Sequence, residues 1–211
     1  MITDIQVETG TPVEELVREA KLGLVKPQGD ADVQVIPSGP GETGDGLLQM
    51  LLGVIYAARE ELVLTTPYFV PDEGMLRALR GAAGRGVDVH LVVPARVDSF
   101  LVRHASRSYY DELLEAGVRI HCFRGGLLHT KSITVDGGIS MFGTVNLDMR
   151  SLWLNFEVSL FVYDASFGRT LRDLQQGYID VSDHLAPDAW KALPAGQRFL
   201  DNAVRLVSPL L

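Results

Sequence analysis

Three short runs rich in Val and Leu recur along this chain with helical stretches between them: Leu62 to Thr66, Val87 to Val93 and Val118 to Phe123. Runs of that kind suit strands buried on both faces, and the βαβαβ alternation predicts an α/β layered sheet. The intervening helices carry their own start and stop signals. Asp45 precedes a predicted helix over Gly46 to Glu60, with Leu47, Met50, Leu51 and Val54 on its apolar face. Asp72 precedes a second, through Ala82, closed by Gly84 and Gly86. Asp98 to Ala116 reads as one long helix stopped by Gly117.

On either side the pattern differs. Val33, Val35 and Pro37 alternate with polar residues, which predicts a short strand ending in the turn Pro37 to Gly41. Residues 1–30 mix charge with weak helical pattern and close on the linker-like Lys26-Pro27-Gln28-Gly29-Asp30, so they read as an extension to a domain over 31–211. After Phe123, two strand-like runs, Leu128 to Val135 and Ile139 to Val145, are joined by Asp136-Gly137-Gly138, a strong hairpin signal. Glu157 to Tyr163 reads as a further strand. The remainder is helical in character and ends in an amphipathic stretch from Ala195 to Val207.

Composition narrows the function. The net charge of −8 argues against a nucleic-acid binder that relies on a basic surface. Cys122 is the single cysteine, so no intrachain disulfide and no cysteine-based zinc site fits. The longest apolar stretch, Leu47 to Ala58, is too short to span a bilayer and reads as a core helix. The start of the chain lacks the basic and apolar regions of a signal peptide, so any membrane contact is expected to be peripheral.

The chemistry sits in Leu128-His129-Thr130-Lys131-Ser132-Ile133-Thr134-Val135-Asp136. Residues two apart on a strand share a face, so His129 and Lys131 are expected to project together. With Gly137-Gly138 as a two-residue turn, Lys131 lies opposite Thr144 and His129 opposite Asn146, and four polar side chains converge. A three-residue loop breaks that parity. The set suits a phosphate ester: a neutral imidazole is a nucleophile near pH 7, and ammonium, hydroxyl and amide donate to non-bridging oxygens. Glu157 is placed to hold the far nitrogen of a histidine. A lone H-x-K is ordinarily a solvated strand face. The spacing H-x-K-x4-D arises by chance in about one or two per cent of chains this long, and the added Gly143-Thr-x-Asn146 makes chance a poor explanation.

His129-x-Lys131-x4-Asp136 followed by Gly143-Thr-x-Asn146 resembles the HKD motif of the phospholipase D superfamily. The wider run Gly143-Thr-Val-Asn-Leu-Asp-Met-Arg-Ser151 and Leu154-Asn-Phe-Glu-Val158 is similar to the second catalytic domain of bacterial cardiolipin synthases. So are Pro37-Ser-Gly-Pro40, Thr66-Pro-Tyr-Phe-Val-Pro71, Gly125-Gly-Leu-Leu-His129 and Ser208-Pro-Leu-Leu211. The resemblance covers Ala31 to the end. It implies a phospholipase D-like layered α/β fold, a mixed β-sheet flanked by helices on both faces. It also implies a two-step phosphatidyl transfer through a phosphohistidine, from phosphatidylglycerol to phosphatidylglycerol, without cofactor or metal. On that basis His129 is nucleophile or acid, Lys131, Asn146 and Thr144 bind phosphoryl oxygens, and Glu157 orients the histidine. Asp136 completes the motif in either a chemical or a structural role.

Two histidines are needed if one attacks while another protonates the leaving alcohol. No lysine follows His90, His104, His121 or His184 at the second position, so no second motif is present in this sequence. The expected partners are therefore an anionic phospholipid and a second HKD-bearing domain, gained by homodimerisation or from a separate N-terminal half. Peripheral association with a bacterial cell membrane is expected, and Trp153, Leu154 and Phe156 are candidates for its contact rim. Arg96, Arg103, Arg107 and Arg124 either ring the mouth of the site or form a solvated helix face. The competing readings are a stand-alone homodimeric phosphodiesterase or nuclease of the superfamily, and a catalytically silent half that binds membrane or partner.

Overall fold

The computed structural model describes residues 6, 8–20, 26–40 and 45–206. Gly41, Val207 and Ser208 to Leu211, all singled out by the sequence, lie outside the described residues. The chain divides into two units after Asp30. In the first, helix α1 (Val13–Glu19) carries Glu14 and Glu15 in its first turn and Arg18 in its last, so its charges complement the helix dipole.

The second unit is built on an eight-stranded sheet. In chain order its strands and helices are β1 (Asp32–Ser38), α2 (Gly46–Ala57), β2 (Glu61–Thr65), β3 (Phe69–Val70), α3 (Glu73–Gly84) and β4 (Asp88–Pro94). Then come α4 (Phe100–Ser108), α5 (Tyr110–Glu115), β5 (Arg119–Phe123), β6 (Ser132–Val135), β7 (Ile139–Gly143) and β8 (Leu147–Asp148). Next are α6 (Met149–Trp153), β9 (Glu157–Tyr163), α7 (Ala165–Asp180), β10 (Ser182–His184), α8 (Pro187–Lys191) and α9 (Ala195–Arg205). The strand order is β1-β9-β7-β6-β2-β4-β5-β10, and β3 pairs with β8 in a separate two-stranded ribbon. Strands β2, β4 and β5 run parallel, and every other pairing in the large sheet is antiparallel. The fold is the mixed α/β arrangement expected from the resemblance.

Alternation along the strands explains the two layers. Leu62, Leu64, Val89, Leu91, Ile120, Ile133 and Phe161 turn to one face and pack with α2, α3, α4 and α5 in the main core. Val63, Val92 and Phe123 turn to the other, where Tyr178 and Ile179 of α7 cover them. That second face is partly polar and partly satisfied internally, with the Thr65 and Ser140 hydroxyls buried without a partner among the described residues. Thr134 donates to Gln175 (2.6 Å), and the Gln175 amide donates to Ser132 Oγ (3.1 Å).

Two expected elements differ. The long helix predicted from Asp98 breaks at Tyr109, because the Ser108 hydroxyl takes the Ala105 carbonyl (2.6 Å) and Ser106 turns away to Phe69 O (2.8 Å). Strand β10, polar and three residues long, was not legible within a region of helical character; it pairs His184 with His121.

On the α7 face, His90 Nδ1 lies 2.9 Å from His121 Nε2, and the His121 and His184 rings lean together. Both His90 and His121 are buried, at 7 % exposure. Burial lowers both pKa values, that of His121 to about 4, with neighbouring His90, His184 and Arg119 adding to the effect and Asp88 opposing it. Neutral imidazoles therefore support the fold above their unfolded value near 6.5, and that support is lost as pH falls from there towards 4. Denaturant titrations at pH 7 and pH 4.5 are expected to differ by about 1–2 kcal/mol more in wild type than in His121→Gln.

Candidate active site

Strand β6 is antiparallel to β2, so its first residue sits at the carboxyl edge of β2, β4 and β5, where α/β sheets hold ligands. The loop from β5 back to β6 is pinned by Leu128, buried among Val63, Val92 and Phe123. That anchor leaves the next residue, His129, exposed, and returns Lys131 to the interior at 9 % exposure.

The two meet closely. Lys131 Nζ is 3.0 Å from His129 Nδ1 and 3.2 Å from Nε2, and donates to the His129 carbonyl at 3.0 Å. Burial pulls the Lys131 ammonium below the usual lysine value, while the negative charges of Glu157 and Asp148 oppose that shift. The cluster is thus an exposed imidazole backed by a half-desolvated cation and two carboxylates.

The route by which Asn146 and Thr144 arrive is a correction. Val135, not Asp136, pairs with Ile139, so the loop is the three residues Asp136, Gly137 and Gly138. Asp136 and Gly137 both adopt positive φ, and Gly138 N–H donates back to Val135 O (3.1 Å). The register moves by one, and Lys131 faces Gly143, whose N–H donates to its carbonyl (3.3 Å). The expected cross-strand pairing of Lys131 with Thr144 and of His129 with Asn146 does not form. Thr144 instead bonds β9: its hydroxyl accepts from Val158 N–H (2.9 Å) and its own N–H donates to Val158 O (3.0 Å). It thereby fixes the start of the strand that carries Glu157. Gly143 allows this close approach, since a Cβ there would collide with the Val158 carbonyl.

Asn146 reaches the cluster through Asp148. Asp148 is buried and caps α6, accepting from Ser151 N–H (2.6 Å). Asn146 Nδ2 donates to Ser151 Oγ (3.1 Å), and its amide also bonds Asp148. Asn146 Oδ1 is buried without a partner among the described residues. Burial raises the Asp148 carboxyl above its ordinary value, with Ser151 and Asn146 pulling the other way. The signal was present: an Asp three residues before Ser151, opening a short apolar run, is an N-cap pattern.

Two further expectations change. Glu157 does not bond His129; its Oε1 accepts from Asn155 Nδ2 (3.2 Å), and its charge acts on Lys131. Asp136 stands at the opposite end of β6, about 16 Å from Lys131 along an extended strand. There its carboxylate accepts from the N–H groups of Arg59 (2.9 Å), Glu60 (2.9 Å) and Glu61 (2.8 Å). Its contacts there are to the backbone at the entry of β2 and not to the cluster. Around the site, Trp153, Leu154 and Phe156 are exposed at 46 %, 63 % and 64 %. Arg107 is held by Asp201 (3.2 Å) and lies over the Trp190 ring. No group of three or more His, Cys, Asp or Glu among the described residues is arranged to hold a metal ion. No described helix is long and apolar enough to cross a membrane.

Residues 51–177 match the family model described as cardiolipin synthase, PLD-like domain. Proteins named cardiolipin synthase A from Yersinia pseudotuberculosis serotype O:1b (strain IP 31758) and Yersinia pestis bv. Antiqua (strain Angola) are each 47 % identical over 208 residues. The match takes in 99 % of this chain and 43 % of each relative, so the chain spans less than half their length. Among solved structures, phosphatidylserine synthase of Haemophilus influenzae Rd KW20 superposes with a TM-score of 0.71 at 17 % identity, over 96 % of this chain and 56 % of that one. The phospholipase D family member Nuc of Salmonella typhimurium superposes with a TM-score of 0.63 at 21 % identity, over 74 % of this chain and 99 % of that one. At those identities the two structures are likenesses of fold.

Proposed function

The chain belongs to the family of cardiolipin synthase, phospholipase D-like domains, and from that premise we propose that it is one catalytic half of a phosphatidyltransferase that joins two phosphatidylglycerols. The observation that carries the reading is the Lys131 ammonium held against the exposed His129 imidazole, with Asp148 and Glu157 behind it.

In the first step a motif histidine nitrogen forms a bond to the donor phosphorus. The phosphorus–oxygen bond to glycerol breaks, and the second histidine gives its proton to the departing alcohol. In the second step the free hydroxyl of another phosphatidylglycerol loses its proton to that second histidine and attacks phosphorus. The nitrogen–phosphorus bond breaks, and cardiolipin leaves. Lys131 and the Asn146 amide stabilise the oxygens that gain charge in both steps. Asp148 and Ser151 hold that amide in place. His129 supplies one of the two histidines, and the other comes from a second HKD-bearing chain, either another copy of this one or a separate half. Peripheral attachment through Trp153, Leu154 and Phe156 would keep the site at the lipid surface.

The test is incubation with phosphatidylglycerol vesicles, alone and with a second motif-bearing half. Cardiolipin and glycerol in equal amounts support the reading. Cleavage of DNA or a chromogenic phosphodiester with phosphatidylglycerol untouched contradicts it. Lys131→Ala is expected to slow cardiolipin formation by about 10²- to 10³-fold, the usual cost of one donor to a developing oxyanion.

A further inference from the structure

His129 and Lys131 stand just outside the strand that follows them. Strand β6 begins at Ser132, and the one backbone bond that ties residues 129–131 to a neighbouring strand, among the described residues, runs from Gly143 N–H to the Lys131 carbonyl (3.3 Å). Two side chains that must meet one phosphorus therefore rest on a stretch that the sheet holds at a single point.

The remaining support comes from the opposite face. Leu128, Thr130, Ser132 and Thr134 alternate with His129, Lys131 and Ile133, and all four turn towards α7. The helix lies along β6 in the reverse direction. Near its start Gly168 passes the hairpin turn so closely that a Cβ would collide with the Gly137 carbonyl. Two turns on, Gln175 meets Thr134 and Ser132, and one turn further Tyr178 meets Thr130. The Tyr178 and Thr130 hydroxyls are 3.0 Å apart. The Tyr178 ring stands edge-on to Phe123, which packs with Leu128.

Thr130 is the middle residue of H-x-K. Its bond to Tyr178 is, among the described residues, the only side-chain hydrogen bond that leaves residues 129–131. His129 thus has an anchor to the α7 face on each side, Leu128 before it and Thr130 after it, while its own ring is exposed and bonds Lys131 alone. We infer that Tyr178 is a positioning residue for the transfer: its hydroxyl, acting through Thr130, holds the backbone of residues 129–131 so that imidazole and ammonium meet the same phosphorus. Misplacing reacting groups by about 1 Å costs up to about 10²-fold in rate, so a bond remote from the substrate can still set kcat. The inference rests on the phosphatidyl-transfer reading above and adds to it a residue 48 positions along the chain from Thr130.

The test compares Tyr178→Phe, which keeps the ring against Phe123 and removes the hydroxyl, with Thr130→Val and with the double variant. The full chain is assayed on phosphatidylglycerol vesicles together with the second motif-bearing chain. Each single change is expected to lower kcat about tenfold with KM within about twofold of wild type, and the double variant to fall no further, because both remove the same bond. Thr130→Ser, which keeps the hydroxyl, is expected to retain most of the rate. Tyr163→Phe, which removes a phenol hydroxyl bonded to Gln34 (3.2 Å), is expected to leave kcat unchanged. The His129 ring is followed in parallel by proton–nitrogen NMR of histidine-labelled chain, and its signals are expected to move in Tyr178→Phe and in Thr130→Val alike. Single variants with kcat within about twofold of wild type, or losses that multiply in the double variant, overturn the inference and leave the phosphatidyl-transfer reading standing. A wild type that makes no cardiolipin overturns that reading; His129 signals unmoved in both variants then overturn the positioning as well, and signals that move alike in both uphold it.

Discussion

Replacing His129 by alanine will reduce cardiolipin formation by roughly 10⁴-fold or more, when the chain is assayed with the second motif-bearing chain that completes the site. The side chain is exposed, and its ring meets only Lys131 among the described contacts, so its removal takes away no core packing. The fold is expected to survive within about 0.5 kcal/mol, as for other exposed positions. Alanine leaves the Lys131 ammonium and both carboxylates in place but offers no nitrogen to bond phosphorus and none to carry a proton. Lys131→Ala removes charge stabilisation from a reaction that still has its nucleophile, so the histidine variant must be the more severe of the two. Initial rates on phosphatidylglycerol vesicles, normalised to folded protein by circular dichroism, measure the difference. A His129→Ala rate within tenfold of wild type would remove the imidazole from the mechanism.

Asp136→Ala will act on stability instead. The carboxylate gathers three backbone N–H groups from residues 59–61, tying the β6–β7 turn to the entry of β2, 75 to 77 residues earlier in the chain. Charge-assisted bonds of this kind are among the stronger ones, and their partial exposure reduces the net worth to about 2–3 kcal/mol for the group. Alanine must also hold the positive φ of 50° at this position, which adds about 1 kcal/mol. The melting temperature is expected to fall by several degrees, while the rate per folded molecule stays near that of wild type. Asp136→Asn keeps the shape and the turn conformation and should lose less. Burial pushes the Asp136 carboxyl up, but the three N–H groups outweigh it and hold the native pKa below its ordinary value. Its contribution is therefore complete above the unfolded value near 3.9 and is lost as pH falls below that through the native pKa. A stable Asp136→Ala protein with a collapsed rate would instead give this carboxylate a place in the chemistry.

These two residues mark what could be read from the chain and what could not. His129 and Lys131 are two apart, and local chain geometry alone was enough to predict that they project together. The parallel core strands were legible for a similar reason, because runs such as Leu62-Val63-Leu64 leave no polar face to expose. Asp136-Gly137-Gly138 announced a turn but not its length. The choice of a three-residue loop is made by amides from residues 59–61, a tertiary contact that no local pattern encodes. That choice shifted the register by one and placed Thr144 on β9 rather than opposite Lys131. Asp148 was visible in the sequence but its importance was not, since burial beneath the site rather than residue type gives it influence over Lys131 and Asn146. The break at Tyr109 has the same origin, in serine hydroxyls whose targets are set by packing.

The central claim is that His129 stands at the reacting phosphorus. Peptide mapping of protein quenched at alkaline pH during turnover of phosphatidylglycerol tests it most directly, because a phosphoramidate survives base and is lost in acid. For a pair of identical copies both motif histidines are His129, and a base-stable, acid-labile phosphatidyl adduct is expected on that residue. Sustained turnover by such a pair of identical copies with His129 unmodified at every time point would contradict the account.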